Sequence, residues 1–368
     1  MKTSLTIEYD RSRPIGMQLR ERIVERIKAR EWVPGDQLPS IRSLQQETGI
    51  SLCLIRKVIS ELADEGYLRL HQGKGIFIAD PLSGPKNIAL VLPCIGPEHI
   101  TSIIKGVREE LSKVAANLVL HAGSDNYNQE ADIIAKLDNS YVAGALIYPP
   151  PVKTYASYLK ELKKRRVPTV MINTVMKDLD IDSVSVNHWQ LGHRSMAAML
   201  EKGHRHIGIL GVHSDVASYQ EMLSGMQQAA TEFDVDYDRL PKYLGNPLNI
   251  DPNHPWEMFY GLIGGFLAAN PELTGLVCLN ENIAMGAFLG LKKMGKRIPE
   301  DISLVAHGTL EAFKVCEPAI SCVTVSYEDM GRLAVTRMLQ LLSPGRFFTP
   351  SNLQLDPVFI ERQSIRTL

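Results

Sequence analysis

After Pro14, Leu19, Ile23 and Ile27 recur every four residues among charged neighbours, a spacing that predicts an amphipathic helix. The stretch "VPGDQLPS" (33–40) reads as a turn-rich break. Ser40 can cap a short helix over "IRSLQQET", which Gly49 ends, and Ser51 can cap a third helix. In that third helix Ile55, Val58, Ile59 and Leu62 form a buried stripe, and Gly66 supplies the stop. "YLRL" and "IFI" then flank Gly73-Lys74-Gly75 as a hairpin. Three helices, two of them joined by a tight turn, followed by a hairpin predict a winged helix-turn-helix of α+β type over residues 1–80.

"ADPLSGPK" (79–86) is a Pro/Gly/Ser punctuation mark, so residues 81–86 are expected to be a linker. Beyond it the pattern changes to short apolar runs alternating with helical stretches. "NIALVLP" (87–93), "NLVLHAG" (117–123), "VAGALIYP" (142–149) and "PTVMIN" (168–173) read as strands. So do "SVSV" (183–186), "HIGILG" (206–211), "GLVCLN" (275–280) and "ISLVAH" (302–307). Strand–helix alternation predicts an α/β fold of parallel sheets with helices on both faces. Eight strands over residues 87–368 fit two similar lobes better than one sheet.

Bulk charge changes this picture little. The formal net charge is −1, and residues 1–80 carry 13 Lys/Arg against 11 Asp/Glu, so any nucleic-acid contact must come from local placement. The five cysteines (53, 94, 278, 316, 322) form no CxxC pair and read as free thiols of a reducing cytosol. No apolar run approaches the roughly 20 residues that span a bilayer, and "MKTSLTIEYDRSRP" has no hydrophobic signal core. The chain is expected to be soluble and cytoplasmic, with no membrane partner.

The Gly-Lys-Gly tip first poses the question of whose phosphate it meets. A nucleotide phosphate loop needs GxxxxGK[ST], but Leu68 stands in place of its first glycine and Gly75 in place of its hydroxyl. A wing tip approaching a DNA backbone fits better than a plain turn, because the glycines let the main chain come close and Lys74 can meet a phosphate. Cys53, Arg56, Lys57 and Ser60 lie on the arc opposite the apolar stripe of the third helix, where side chains can enter a major groove. Arg56 and Lys57 can read guanine or hold phosphate. His188, His193, His204 and His206 crowd one region, but no pair has HExxH spacing and no carboxylate stands as a third ligand, so no metal is expected. No nucleophile elbow, paired-carboxylate motif or cofactor fingerprint appears, so neither enzyme activity nor a cofactor is expected.

"LPSIRSLQQETGIS" followed by "EGYLRLHQGKGIFI" resembles the GntR-type winged helix of bacterial transcription regulators. That resemblance implies DNA contacts by Ser40, Arg42, Ser51, Arg56 and Lys57, and by His71, Gly73, Lys74 and Gly75 of the wing. One departure is Leu52 and Leu54, where the family often has arginine and threonine. Leu52 is expected near the buried stripe and Leu54 to be more exposed, which implies an atypical operator. The remainder is similar to the LacI/GalR-type, periplasmic-binding-protein-like effector core. The similarity is carried by "SVSVNHWQLGHRSMAAMLEKGHRHIGILG", "NENIAMGAFLGLKKMGKRIPEDISLVAHG", "CVTVSYEDMGRLAV" and "PVFIERQS". It implies two Rossmann-like lobes, dimerisation through the core and a ligand in the interlobe cleft. The three crossovers are placed near 175–182, 307–311 and 322–326. The first lobe then holds about 87–178 plus 309–323, and the second about 179–308 plus 324–350.

Asn173, Asn280 and His307 end apolar strands, where ligands of parallel α/β lobes sit. Trp256 matches a position whose aromatic ring often stacks on sugars in that family. The pocket arginine, aspartate and glutamine that the resemblance leads one to expect fall on Met222, Gly308 and Val325. A pocket built on a charged fork loses selectivity without it, so an unusual ligand is expected ahead of a conventional sugar or an empty cleft. The expectation is a homodimeric regulator, repressing rather than activating, that binds a double-stranded operator and answers to a small effector related to carbohydrate or unusual. The rivals are a solute-binding protein without DNA function and a regulator controlled by a protein partner.

Overall fold

The computed structural model describes residues 10, 12–29, 31–64, 66–71, 73–79, 87–114, 116–123, 127–149, 155–176, 178–212, 217–245, 254–308, 311–343 and 349–368. The expected linker, 81–86, lies outside them. The N-terminal unit runs α1 (Ile15–Lys28), α2 (Ile41–Thr48), α3 (Leu52–Asp64), β1 (Leu68–His71) and β2 (Gly75–Ile78). Leu19, Ile23, Leu44, Ile55, Ile59 and Leu62 meet at its centre with essentially no exposure. Each such side chain contributes about 1.5–3 kcal/mol on burial, so the periodic stripes of α1 and α3 bind each other. Ser40 caps α2 by accepting from Ser43 N at 3.1 Å, and Gly49 closes it at φ 71°. The break at 33–40 does more than turn. Leu38 N donates to Ile76 O at 2.8 Å and Gly35 N to Ile78 O at 3.0 Å, so this segment lines the free edge of β2.

The first lobe begins with β3 (Asn87–Leu92), α4 (Glu98–Leu111), β4 (Asn117–Ala122) and α5 (Tyr127–Lys136). It continues with β5 (Gly144–Ile147), α6 (Tyr155–Lys164), β6 (Thr169–Ile172) and β7 (Asp182–Val186). The second lobe holds α7 (His188–Glu201), β8 (Ile207–Val212), α8 (Ala217–Glu232), β9 (Lys242–Gly245) and α9 (Glu257–Ala269). After these come β10 (Gly275–Cys278), α10 (Glu281–Lys293), β11 (Ser303–His307), α11 (Glu311–Val315) and β12 (Ser321–Thr324). The chain then returns with α12 (Tyr327–Leu341) and β13 (Asn352–Leu355) to the first lobe, and with β14 (Val358–Ile360) to the second. The sheet orders are β13-β7-β6-β5-β3-β4 and β14-β12-β11-β10-β8-β9. All rungs in both are parallel except β12–β14. Strands such as β3, β5 and β10 are buried along their length because helices cover both faces.

These sheets move the expected lobe boundaries. β7 pairs with β6 and stays in the first lobe, β12 pairs with β11 in the second, and α12 packs on β5, β6 and β7. The chain therefore crosses at Asn187, at Val325–Ser326 and at Asp356–Pro357. Of the three expected positions only 322–326 holds. The physical reason is that an apolar strand fits either sheet equally well, and partner register rather than composition decides which one it joins.

Each lobe is closed by a helix that arrives across a crossover and docks through glycine. A Cβ at Gly331 of α12 would lie 2.4 Å from Ile103 O of α4, and one at Gly106 would lie 1.9 Å from Glu328 O. In the second lobe, Gly192 of α7 and Gly225 of α8 make the same approach to Met222 O and Trp189 O, with 1.8 and 2.0 Å left for a Cβ. β13 is fixed by a buried ion pair between Arg337 and Asp182, at 2.6 Å. Asp182 also accepts from Ser351 N, and Arg337 reaches Thr349 O. Replacing Arg337 with methionine leaves a buried carboxylate without its partner. The variant is expected to lose about 3–5 kcal/mol in urea unfolding, and a loss below about 1 kcal/mol would remove this role.

Candidate functional site

Two places gather the residues singled out in the sequence. The first is one face of the N-terminal unit. Cys53, Arg56, Lys57 and Ser60 all project from α3 into solvent, opposite its buried stripe. Ser51 Oγ accepts from Leu54 N at 3.4 Å, and Arg42 is exposed on α2. The tip of the β1–β2 hairpin turns with Lys74 N donating to His71 O at 3.0 Å. Gly73 (φ 76°) and Gly75 (φ 122°) occupy backbone that side chains rarely adopt, which explains the glycine on each side of Lys74. His71 sits edge-on to Phe77 with ring centroids 5.4 Å apart.

Two features of this face escape the sequence. Gln37 Nε2 donates to Lys74 O at 2.9 Å, so a residue of the break at 33–40 pins the tip from behind. Leu54 is not the exposed departure expected of it. It is partly buried in the core of the unit, with Cδ1 only 3.0 Å from where a Cβ on Gly16 of α1 would stand. Its apolar character fits that contact.

The second place is a cavity of about 290 Å³ at the carboxyl ends of β10 and β11. His188 and Leu191 of α7, Ser218, Tyr219 and Met222 of α8, Asn280 and Glu281 at the start of α10, and His307 line it from the second lobe, while Tyr327 closes it from α12. Of the expected residues, Met222, Asn280 and His307 meet here. Asn280 acts twice, since its Oδ1 also caps α10 by accepting from Ile283 N at 2.8 Å. Asn173 is adjacent to this wall rather than part of it. It ends β6 in a left-handed conformation (φ 63°) and donates to Tyr148 Oη. Tyr148 and Tyr327 both pack on the His99 ring, at 6.4 and 5.3 Å. Trp256 does not line the cavity. It precedes α9 and sets its ring edge-on to Tyr260 at 5.9 Å, so the expected stacking position is taken up in helix packing.

The wall is polar in an unusual way. His307 is 3% exposed, and neither ring nitrogen has a hydrogen-bond partner among the described residues. Tyr219 Oη is in the same condition, as is Asn173 Oδ1 beside the wall. A buried polar group without a partner costs about 1–3 kcal/mol, and His307 and Tyr219 both bring such groups to residues that line this cavity. Burial, with a smaller contribution from His188 nearby, pushes the His307 imidazole down to about 3. Burial also lowers His188 and His99, and raises Tyr148 to about 12 with the Glu281 charge adding to the effect. The carboxylate missing at Gly308 is supplied from next door. A Cβ there would stand 2.1 Å from Glu281 Oε1, which occupies that volume. Sequence reasoning missed Glu281, although it follows Asn280 directly at a strand end. The other histidines have structural roles: His204 bonds Thr274 Oγ1 and Arg366 O, and His193 pairs with Glu232 at 2.8 Å.

The lobes also touch directly, since Glu98 of α4 accepts from Glu311 N of α11 at 2.9 Å. Among the described residues, no group of three His, Cys, Asp or Glu is placed to hold a metal ion. Nor is any helix long and apolar enough to cross a membrane.

Comparison with known proteins agrees with this division. Residues 16–78 match the profile of bacterial regulatory proteins of the gntR family, and residues 196–365 that of the periplasmic binding protein-like domain. The HTH-type transcriptional regulator RegA of Clostridium saccharobutylicum is 23% identical, over 88% of this chain and 98% of that protein. The arabinose metabolism transcriptional repressor of Geobacillus stearothermophilus is 22% identical, over 98% of this chain and 100% of its own length. Among solved structures, CcpA of Lactococcus lactis superposes with a TM-score of 0.65 at 20% identity, covering 76% of this chain and 99% of that one. The CelR–cellobiose complex does so with 0.67 at 19% identity, covering 86% and 91%.

An imidazole buried neutral makes stability fall in acid. The unfolded His307 takes up its proton near pH 6.5 and the folded one only near 3, so stability declines as pH drops through that window. His307→Leu is expected to lose roughly 2 kcal/mol less than the wild type between pH 7.5 and pH 5, at about 1.4 kcal/mol per pH unit for one proton. Urea titrations at the two pH values check this, and parallel declines would contradict it.

Proposed function

We propose, from the premise that this chain joins a gntR-family DNA-binding domain to a periplasmic-binding-protein-like core, that it is a transcriptional repressor released by a small effector. The observation that carries the reading is the pairing of an exposed Arg/Lys face and wing with a separate cavity lined by unpartnered buried polar groups. Arg42 and Arg56 read bases, and Ser40, Ser51, Lys57, Lys74 and the flanking glycines hold the phosphate backbone, with His71 at the wing. Asn280, His307 and Met222 meet the effector, with Asn173 at its margin. The protein works in the cytoplasm as a homodimer and performs no chemistry. A ligand between the lobes changes their relative angle, and in a dimer that angle sets the spacing of two winged helices. Because half-site spacing is geometric, a small rotation breaks simultaneous engagement. The full-length similarity to a named arabinose repressor supports the combination of parts, and the cellobiose complex of one structural neighbour supports a small-molecule effector.

Gel shift on the protein's own upstream region tests the DNA half. Arg42→Ala and Arg56→Ala are each expected to cost about 1–3 kcal/mol of specific affinity. Lys74→Ala should weaken all sequences alike and lower the slope of log K against log salt by about 1. Undiminished promoter binding by the double arginine variant would sink the recognition assignment.

A further inference from the structure

The first lobe has two unlike ends. The strands of its sheet run toward the cleft, and at their opposite end β3 receives the chain from the winged helix at Asn87. There Asn87 Nδ2 donates to Tyr141 O at 3.0 Å. Asn139 of the same turn donates to Arg165 O at 3.2 Å and to Arg166 O at 3.3 Å, where α6 ends. The point of entry is thus bonded, through one turn, to a strongly basic segment. Residues 136–180 carry 8 Lys/Arg against 4 Asp/Glu, whereas residues 81–368 carry 27 against 30. On the reading of this chain as a DNA-binding regulator, we propose that this end of the first lobe is a second, sequence-independent DNA contact. Lys136, Lys160 and Arg166 meet phosphates of the same duplex that the winged helix reads.

Some cations here already serve the fold. Arg165 donates to Ile134 O, Ala135 O and Leu137 O at the end of α5, Lys163 pairs with Asp180 at 3.2 Å, and Lys164 with Glu161 at 3.4 Å. Of the remaining acids, Asp138 accepts from Ser140 N and Tyr141 N of its own turn, and Asp178 is exposed. Lys136, Lys160 and Arg166 are exposed and make no ion pair among the described residues. Lys136 lies between the two carbonyls that Arg165 Nη1 holds, which sets it beside the end of α6. Arg166 stands at φ 57°, the left-handed turn after a helix that glycine takes most readily and a side chain takes at a steric cost. No described bond of its guanidinium offsets that cost, so the cation at this place points to a partner outside the fold. The tether favours DNA as that partner. The chain from Ala79 to Asn87 reaches at most about 29 Å fully extended, which keeps the winged helix and its duplex at this end of the lobe. Phosphate contacts need only placed cations and carry no base recognition.

The test follows binding of the full-length protein to a fluorescein-labelled duplex of mixed sequence by anisotropy, over a series of salt concentrations. A triple variant, Lys136→Gln, Lys160→Gln and Arg166→Gly, is expected to lower the slope of log K against log salt by at least about 2, at about 0.9 per lost phosphate contact. The affinity ratio between the protein's own upstream region and the mixed duplex is expected to stay unchanged. A control with the same charge change in the second lobe, Arg239→Gln, Lys296→Gln and Lys314→Gln, is expected to keep the wild-type slope. Arg166→Gly alone gives a signature that a structural role does not: an unfolding midpoint equal to or above that of the wild type, with several-fold weaker binding to the mixed duplex. That single variant decides the matter even if the triple one fails to fold. An unchanged slope in the triple variant, or unchanged binding by Arg166→Gly, overturns the second contact and leaves the DNA-binding reading standing. So does an equal fall in the control, which assigns the effect to bulk charge. Failure of the wild type to bind either duplex overturns both.

Discussion

Asn187 ties together the crossings on which the two-lobed core depends. Its backbone N–H donates to Leu355 O at 3.0 Å, and its Nδ2 donates to Asp356 Oδ1 at 2.8 Å, so two of the three crossovers are bonded to each other. Its Oδ1 accepts from Gln190 N at 3.1 Å and so caps α7, the helix that carries His188 and Leu191 into the cavity. One side chain thus serves as chain crossing, helix start and wall support. A hinge made this way can let the lobes turn, while the position of α7 relative to the crossing stays fixed. The glycine contacts of α7 with α8 and of α12 with α4 extend that rigidity into each lobe, because backbone meets backbone with no side chain to yield.

The cavity sits at the end of this rigid frame and reverses the logic of the core. In the core several buried polar groups are satisfied: Asp182 by Arg337 and Ser351, His204 by Thr274 and Arg366, Ser364 by Leu304. At the cavity His307 and Tyr219 are left without described partners, and a ligand that completed them would recover that free energy. The same low dielectric that keeps His307 neutral strengthens any hydrogen bond formed to it. Affinity and acid sensitivity therefore come from one physical source.

The N-terminal unit solves a different problem, which is to hold a few cations in fixed places on a chain of nearly balanced charge. α3 does so by dividing its surface cleanly, with Ile55, Val58, Ile59 and Leu62 inward and Arg56 and Lys57 outward. The wing does so through glycine backbone geometry and the Gln37 bond to Lys74 O. That bond joins residues 37 positions apart, and no local pattern announces it.

By itself the sequence determined what short-range physics controls. Four-residue spacing fixed α1 and α3, caps at Ser40 and Gly49 fixed α2, and continuous apolar runs fixed the eight strands named from them. The basic arc of α3 and the glycine-flanked lysine were legible because each lies within a single helix or hairpin. Polar residues at strand ends pointed to Asn280 and His307 for the same reason. The tertiary structure alone decided which sheet each strand joins, where the chain crosses, that Leu54 packs on Gly16, and that Trp256 faces Tyr260. It also decided that Glu281 fills the space beside Gly308. Those outcomes depend on contacts between segments distant in the chain, and apolar strands or exposed-looking side chains carry no record of the partner that will cover them.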